Sequence, residues 1–112
     1  MSNEIVDLSI YDAIDILDDK NYDTESRKMM SKKILDALRE GMTPEFYENE
    51  GGEFIGILRG LFNVLVSTGD AAAEADEGTE KEQLAELDKA AKSVKERVKM
   101  IIQAMCFRND IV

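Results

Sequence analysis

The residues in this sequence that come nearest to a catalytic arrangement are two pairs of carboxylates at helical spacing. Glu45 and Glu48 are three positions apart, as are Glu50 and Glu53, so each pair would lie on one side of a helix. Carboxylate oxygens are ligands that Mg²⁺ prefers, and bound Mg²⁺ stabilises the charge that develops in phosphoryl transfer. The chemistry open to such pairs is therefore metal-dependent hydrolysis of a phosphate ester.

The carboxylate pairs resemble those that bind magnesium on facing helices of all-helical nucleotide pyrophosphohydrolases. The resemblance is confined to the pair itself. Those enzymes use a second acidic motif on an apolar-backed helix, which this sequence lacks, and the glycines at 51–52 separate the two pairs. A magnesium-dependent nucleotide hydrolase is therefore the third of three hypotheses. We expect no catalytic residue, no metal site and no cofactor.

The sequence lacks the residue types that other catalytic and metal-binding sites require. The chain has no histidine and a single cysteine, which excludes a Cys/His zinc site and a disulfide framework and removes the commonest general base. The run Asp19-x-Asn21-x-Asp23 imitates the start of a calcium-binding EF-hand loop. The sixth position is Thr24 instead of Gly, and the twelfth is Met30 instead of Glu, so the template is rejected.

Basic residues on two predicted helices form a candidate anion-binding site. They are Lys28, Lys32, Lys92, Lys95 and Lys99. If the second and last helices were neighbours, or met across a dimer, these side chains could hold a phosphate or a nucleotide. Tyr11 or Tyr22 could then stack on the base. The second hypothesis is therefore an oligomeric, non-catalytic binder of a small anionic ligand such as a nucleotide.

Acidic residues dominate the charge of the chain. Asp and Glu number 24 against 14 Lys and Arg, giving a formal net charge of -10. This charge disfavours binding to nucleic acid or to anionic membranes and favours a partner with a basic surface. The densest group, here called the acidic docking surface, consists of Asp12, Asp15, Asp18 and Asp19. Two alternatives stay open, namely that the acids only maintain solubility or that they pair with basic stretches of the same chain.

The length and composition predict one small all-helical domain. The 112 residues provide for a single domain, and the single proline and few glycines are typical of helical rather than all-β chains. Residues 1–8 are predicted to be a loose N-terminal arm. No basic leader precedes an apolar run there, so we expect a cytoplasmic protein.

Apolar periodicity predicts two helices in the first 41 residues. The first begins at Ser9, and the second runs from a cap at Asp23 or Thr24 to Glu40, with Gly41 as a left-handed stop. The apolar face of the first helix consists of Ile10, Ala13, Ile14 and Leu17. The outer surface of the second is predicted to be basic, with Arg27, Lys28, Lys32 and Lys33.

The third helix is predicted to begin at Thr43 and Pro44 and to be broken or kinked at the glycine pair 51–52. Residues 54–66, beyond the break, are apolar on nearly all sides, which predicts burial on nearly all sides. This run is too short to span a bilayer and contains Arg59, so we expect no membrane insertion.

The last helix carries the clearest pattern in the sequence. A heptad seam runs from Leu84 to Met105 in a helix predicted from Thr79 to Phe107, about 40 Å long. Such a length favours an antiparallel hairpin with residues 54–77. Residues 70–78 fit either a helix or a loop. The lone Cys106 is expected to pack as a small buried hydrophobe.

The apolar surface of these two segments exceeds what a four-helix monomer readily covers, which predicts a homodimer or a higher oligomer. The predicted interface consists of Phe54, Ile55, Leu58, Leu61, Phe62, Leu65, Leu84, Leu87, Val94, Val98, Ile101 and Met105. The first hypothesis is therefore a non-catalytic helical protein–protein interaction module, acting as an inhibitor, adaptor or regulatory subunit. Its acidic surface would bind a basic partner.

Overall fold

A computed structural model describes residues 10–78 and 81–109 of the chain, and the side chains of 10–75 and 82–105. The described residues form four helices and contain no strand, so the predicted all-α class and helix number are confirmed. The helices are α1 (Ile10–Ile16), α2 (Thr24–Glu40), α3 (Pro44–Phe46, Tyr47–Gly51 and Gly52–Gly78 in succession) and α4 (Lys81–Asn109). The predicted N-terminal arm, the caps at Ser9 and Thr79, and the Cys106 side chain lie outside the described parts.

Helix α1 is short and is held by its apolar face. Ala13, Ile14 and Leu17 have no exposed surface, and Ile10 is half-buried against the same core. A helix of two turns is marginal by itself, so this burial is what stabilises it. The predicted apolar face of the first helix is the face that packs.

Helix α2 begins at the expected cap and ends differently from the prediction. The Asp23 carboxylate accepts a hydrogen bond of 2.7 Å from the Ser26 amide, and hydrogen bonding to Ser26 lowers the pKa of Asp23. Gly41 is not left-handed. Its φ and ψ of -78° and -8° continue the right-handed turn, and its amide donates to the Ala37 carbonyl. The left-handed stop was therefore a wrong prediction.

A π-helical turn lies in α3 where a break or a kink was predicted, and the helix is not broken there. The Thr43 hydroxyl caps the first turn by accepting from the Phe46 amide at 3.1 Å. The chain then continues through the π-helical turn Tyr47–Gly51. Gly51 is buried, and a Cβ there would overlap the side chain of Met42. The glycine pair therefore permits close packing on Met42 while the helix continues.

The long helices α3 and α4 pack along one another more extensively than any other pair in the described chain. Residues 70–78 are helical, which resolves that open choice. From the predicted heptad seam, Ala91, Val98 and Met105 are buried. The remaining seam residues, Leu84, Leu87, Val94 and Ile101, are half-buried. Ile102, outside the seam, is buried as well, which shows that the packed stripe is wider than a coiled-coil seam.

The most apolar part of α3 is not buried on nearly all sides, contrary to the prediction. Ile57 is 43% exposed and Val64 is 48% exposed, because α2 and α4 contact other sides of this helix. The continuous helix Pro44–Ala75 is long and apolar enough to cross a membrane by length and composition alone, a test that the core helix of a soluble protein also passes. The absence of membrane insertion therefore stays a prediction.

Candidate functional site

Three residues of the predicted acidic docking surface come together at the end of α1. Asp15, Asp18 and Asp19 line a depression of about 310 Å³, and Asp88 of α4 joins them from the opposite wall. The one cationic residue in the lining is Lys20. Asp15 is exposed on the side of α1 opposite its buried face, and Asp18 and Asp19 follow in the turn after the helix ends at Ile16. We call this depression the acidic cleft.

The sequence did not single out Asp88, and the fourth predicted acid lies elsewhere. Asp12 is exposed and does not line the acidic cleft. Asp88 is 69 positions from Asp19 in the chain, so only the packing of α4 beside α1 brings them together. No local pattern in the sequence signals that proximity.

Lys95 is the cation that holds two acids of the acidic cleft. Its Nζ lies 2.6 Å from the Asp18 carboxylate and 3.5 Å from that of Asp15. The Asp18 side chain is only 11% exposed, so this ion pair is screened less than a surface pair. Intramolecular pairing therefore occupies part of the predicted docking surface, as one of the alternatives anticipated.

The predicted anion-binding lysines do not form a cationic site in one protomer. Lys92, Lys95 and Lys99 line a neighbouring depression of about 320 Å³. The same depression is lined by four acids, Asp15, Asp18, Asp88 and Glu96. Lys28 and Lys32 of α2 are exposed and do not line this depression. Helices α2 and α4 pack chiefly on α1 and α3 instead of on one another. An anion would meet a net acidic surface in this depression.

A buried arginine makes hydrogen bonds to residues of both α2 and α3 and to the loop before α2. Arg27 was predicted on the outer surface of α2, yet it is only 2% exposed. Its Nε donates to the Tyr22 carbonyl at 3.1 Å, and its Nη1 donates to the Val66 carbonyl of α3. Its Nη2 pairs with the Asp70 carboxylate at 2.6 Å. A signal existed, because Arg27 precedes Ser31 by one turn on the buried stripe of α2.

Asp70 and Gly69 of α3 complete the arginine site. The Asp70 carboxylate also accepts from the Thr24 hydroxyl, and that bond together with Arg27 lowers the pKa of Asp70. A Cβ at Gly69 would come within 2.8 Å of Arg27 Cζ, closer than any ordinary contact. All buried polar side-chain atoms in the described part have partners, so this cluster is a satisfied structural clamp between α2 and α3.

The carboxylate pairs considered for magnesium lie on the surface around the π-helical turn. Glu45, Glu48, Glu50 and Glu53 are all exposed. Within the described residues, no three acidic or thiol side chains are grouped as a metal ion would require. This arrangement offers no feature on which to argue a metal-dependent reaction.

The predicted interface residues divide into two groups. Six of them are buried within the protomer and pack in its own core, namely Ile55, Leu58, Phe62, Leu65, Val98 and Met105. The other six are half-buried and reach the surface, namely Phe54, Leu61, Leu84, Leu87, Val94 and Ile101. A second copy that meets the folded protomer would contact only the second group directly.

No family model matches this chain, and comparison with curated proteins and with solved structures gives no significant match. The functional proposals therefore depend on the geometry and charge of this chain alone.

Proposed function

We propose that this chain is a non-catalytic, self-associating helical interaction module that binds a basic segment of another protein in its acidic cleft. The observation that supports it best is the convergence of Asp15, Asp18 and Asp19 with Asp88 around one depression. Concave surfaces lined by one sign of charge attract the opposite charge and speed its association. An inhibitor, adaptor or regulatory subunit located in the cytoplasm is the role that fits.

The scaffold of the module would be an antiparallel hairpin of α3 and α4. Helix α3 ends at Gly78 and α4 begins at Lys81, and the two pack along one another. Helix α1 then lies across α4, where the Lys95 ion pairs fix the wall of the cleft. A rigid wall favours binding because little side-chain entropy remains to be lost.

The acidic cleft still has charge to offer a partner after its internal pairing. Lys95 is close to Asp18 and Asp15. Among the described residues, no lysine or arginine pairs with Asp19 or Asp88, which line the same depression. A Lys or Arg side chain of the partner could therefore form ion pairs with these two carboxylates. We expect the affinity to fall as salt is raised, because such charges are screened within about 10 Å at 0.1 M ionic strength.

Titration calorimetry with an octalysine peptide tests the cleft. The double variant Asp19→Asn/Asp88→Asn removes two charges from it, and Glu25→Gln/Glu48→Gln removes two exposed charges elsewhere, so both variants have the same net charge. Each carboxylate that contacts an ammonium group is worth about 1 kcal/mol, so the loss of two should weaken binding by the cleft variant about thirtyfold. Equal weakening in both variants would show that only bulk charge matters, and no binding to the wild type would refute the cleft.

A further inference from the structure

Helix α3 has an outer face that no described helix covers. We define it as Gly56, Ile57, Gly60, Val64 and Ser67. Gly56, Gly60, Val64 and Ser67 recur every three or four residues, and Ile57 precedes Gly60 by three, so all five lie along one side of the helix. A Cβ placed on Gly56 or Gly60 would meet nothing within 4 Å, and Ile57 and Val64 are the exposed apolar side chains beside them. The apolar surface on this face is therefore not covered by any described part of the chain.

The charge distribution indicates which partner would fit. Helix α3 contains no acidic residue between Glu53 and Asp70, and its one charge there is Arg59. Two copies with a net charge of -10 each repel one another over most of their surfaces. They approach at least cost through the stretch from Gly56 to Ser67, which carries no acid, whereas a basic partner would gain nothing from it.

The order of the residues on the outer face suits a symmetric contact with a second copy. Ile57 and Val64 flank Gly60 and are seven residues apart, which is about 10 Å along the helix. A two-fold axis at Gly60 would bring the open backbone of one copy against the other and let each apolar side chain contact the partner helix. We propose that a second copy of the chain docks on the outer face of α3 through its own outer face, so that the two α3 helices cross at Gly60. This inference rests on the self-association in the proposed function and names its surface.

The size of the face predicts a weak dimer. From Gly56 to Ser67 the helix rises only about 17 Å and is about 10 Å wide, well short of the roughly 800 Å² per partner of a standard interface. A depression of about 380 Å³ between α3 and α4, bounded by Val64, Thr68 and Leu87 among others, extends the contact. We expect a dimer that dissociates on dilution, with a Kd on the order of 10 µM.

Sedimentation equilibrium of the full chain tests the surface with matched variants. Val64→Asp places an acid on the outer face, while Met100→Asp places one on α4 at an apolar side chain that is 69% exposed. Both positions are exposed, so circular dichroism should show the helical content unchanged. We expect the dimer Kd to rise at least tenfold in Val64→Asp and to stay within twofold of the wild type in Met100→Asp.

A cross-link locates the crossing point. In a chain carrying Cys106→Ser, Gly60→Cys should form a disulfide-linked dimer on mild oxidation, because a disulfide requires Cα atoms within about 7 Å. Ser93→Cys, exposed on α4, should form none.

A dimer that survives Val64→Asp and leaves Gly60→Cys unlinked would overturn this surface while the proposed self-association stands. A wild type that is monomeric up to millimolar concentration would remove both. Binding of the monomer to phosphatidylcholine vesicles, lost in Val64→Asp, would overturn the second copy as occupant and assign the face to lipid.

Discussion

Replacing Gly69 by alanine tests the buried clamp between α2 and α3. In the interior of a helix, Gly→Ala ordinarily stabilises a protein by about 1 kcal/mol, because glycine loses more backbone entropy on folding. At Gly69 the new Cβ would lie 2.8 Å from Arg27 Cζ and 3.2 Å from Arg27 Nε. The guanidinium must then move, although it is buried and holds Asp70, Val66 and Tyr22 in hydrogen bonds.

The magnitude follows from those bonds. A hydrogen bond to a charged group contributes about 1.5–3 kcal/mol, so the loss of one outweighs the gain in helix propensity. We expect Gly69→Ala to lower the free energy of unfolding by about 1 kcal/mol, or the Tm by about 4 °C. Gly60→Ala, which meets open space on the same helix, should instead raise it by about 1 kcal/mol in a dilute, monomeric sample.

Urea denaturation followed by circular dichroism measures both values. In an Arg27→Met background the obstacle is gone, so Gly69→Ala should become stabilising, and the double-mutant cycle should give a coupling of about 2 kcal/mol. If Gly69→Ala stabilises the wild type as much as Gly60→Ala does, the guanidinium is not held where the hydrogen bonds place it, and the reasoning fails.

Three further perturbations follow from other contacts. Asp70→Asn should destabilise the protein above pH 4, because the lowered pKa of Asp70 stabilises the folded state only while the carboxylate is ionised. The difference in free energy of unfolding between variant and wild type should therefore shrink as pH falls. A difference that stays constant between pH 2 and 7 in urea titrations would refute this. Lys95→Met should lower the free energy of unfolding by about 1–2 kcal/mol, since it leaves the nearly buried Asp18 carboxylate unpaired. Lys92→Met, at an exposed position of the same helix, should change it by less than about 0.5 kcal/mol. Thr43→Ala should lower stability by about 1 kcal/mol through loss of the N-cap, and Thr43→Ser should restore it; equal Tm values for the two variants would contradict the capping role.

The sequence alone determined the features that depend on neighbours along the chain. Helical periodicity of apolar residues predicted the all-α class and the inward face of α1. Residue types predicted the cap at Thr43 and limited the cap of α2 to Asp23 or Thr24, of which Asp23 is the one used. These succeed because hydrogen bonds of a cap join residues three positions apart, and a helix repeats its faces every 3.6 residues. Half of the predicted interface also proved to be core, since periodicity identifies an apolar face without saying which partner covers it.

Only the tertiary structure decided where the charged side chains lie. Arg27 is buried because Asp70 and the Val66 carbonyl, 43 and 39 residues away, meet it beside a glycine that leaves room. The acidic cleft likewise needs Asp88 of α4 beside the end of α1. The outer face of α3 is open because α2 and α4 pack against other sides of that helix. A charge is stabilised by whatever lies within a few ångströms, and in a helical bundle those neighbours come from distant parts of the chain.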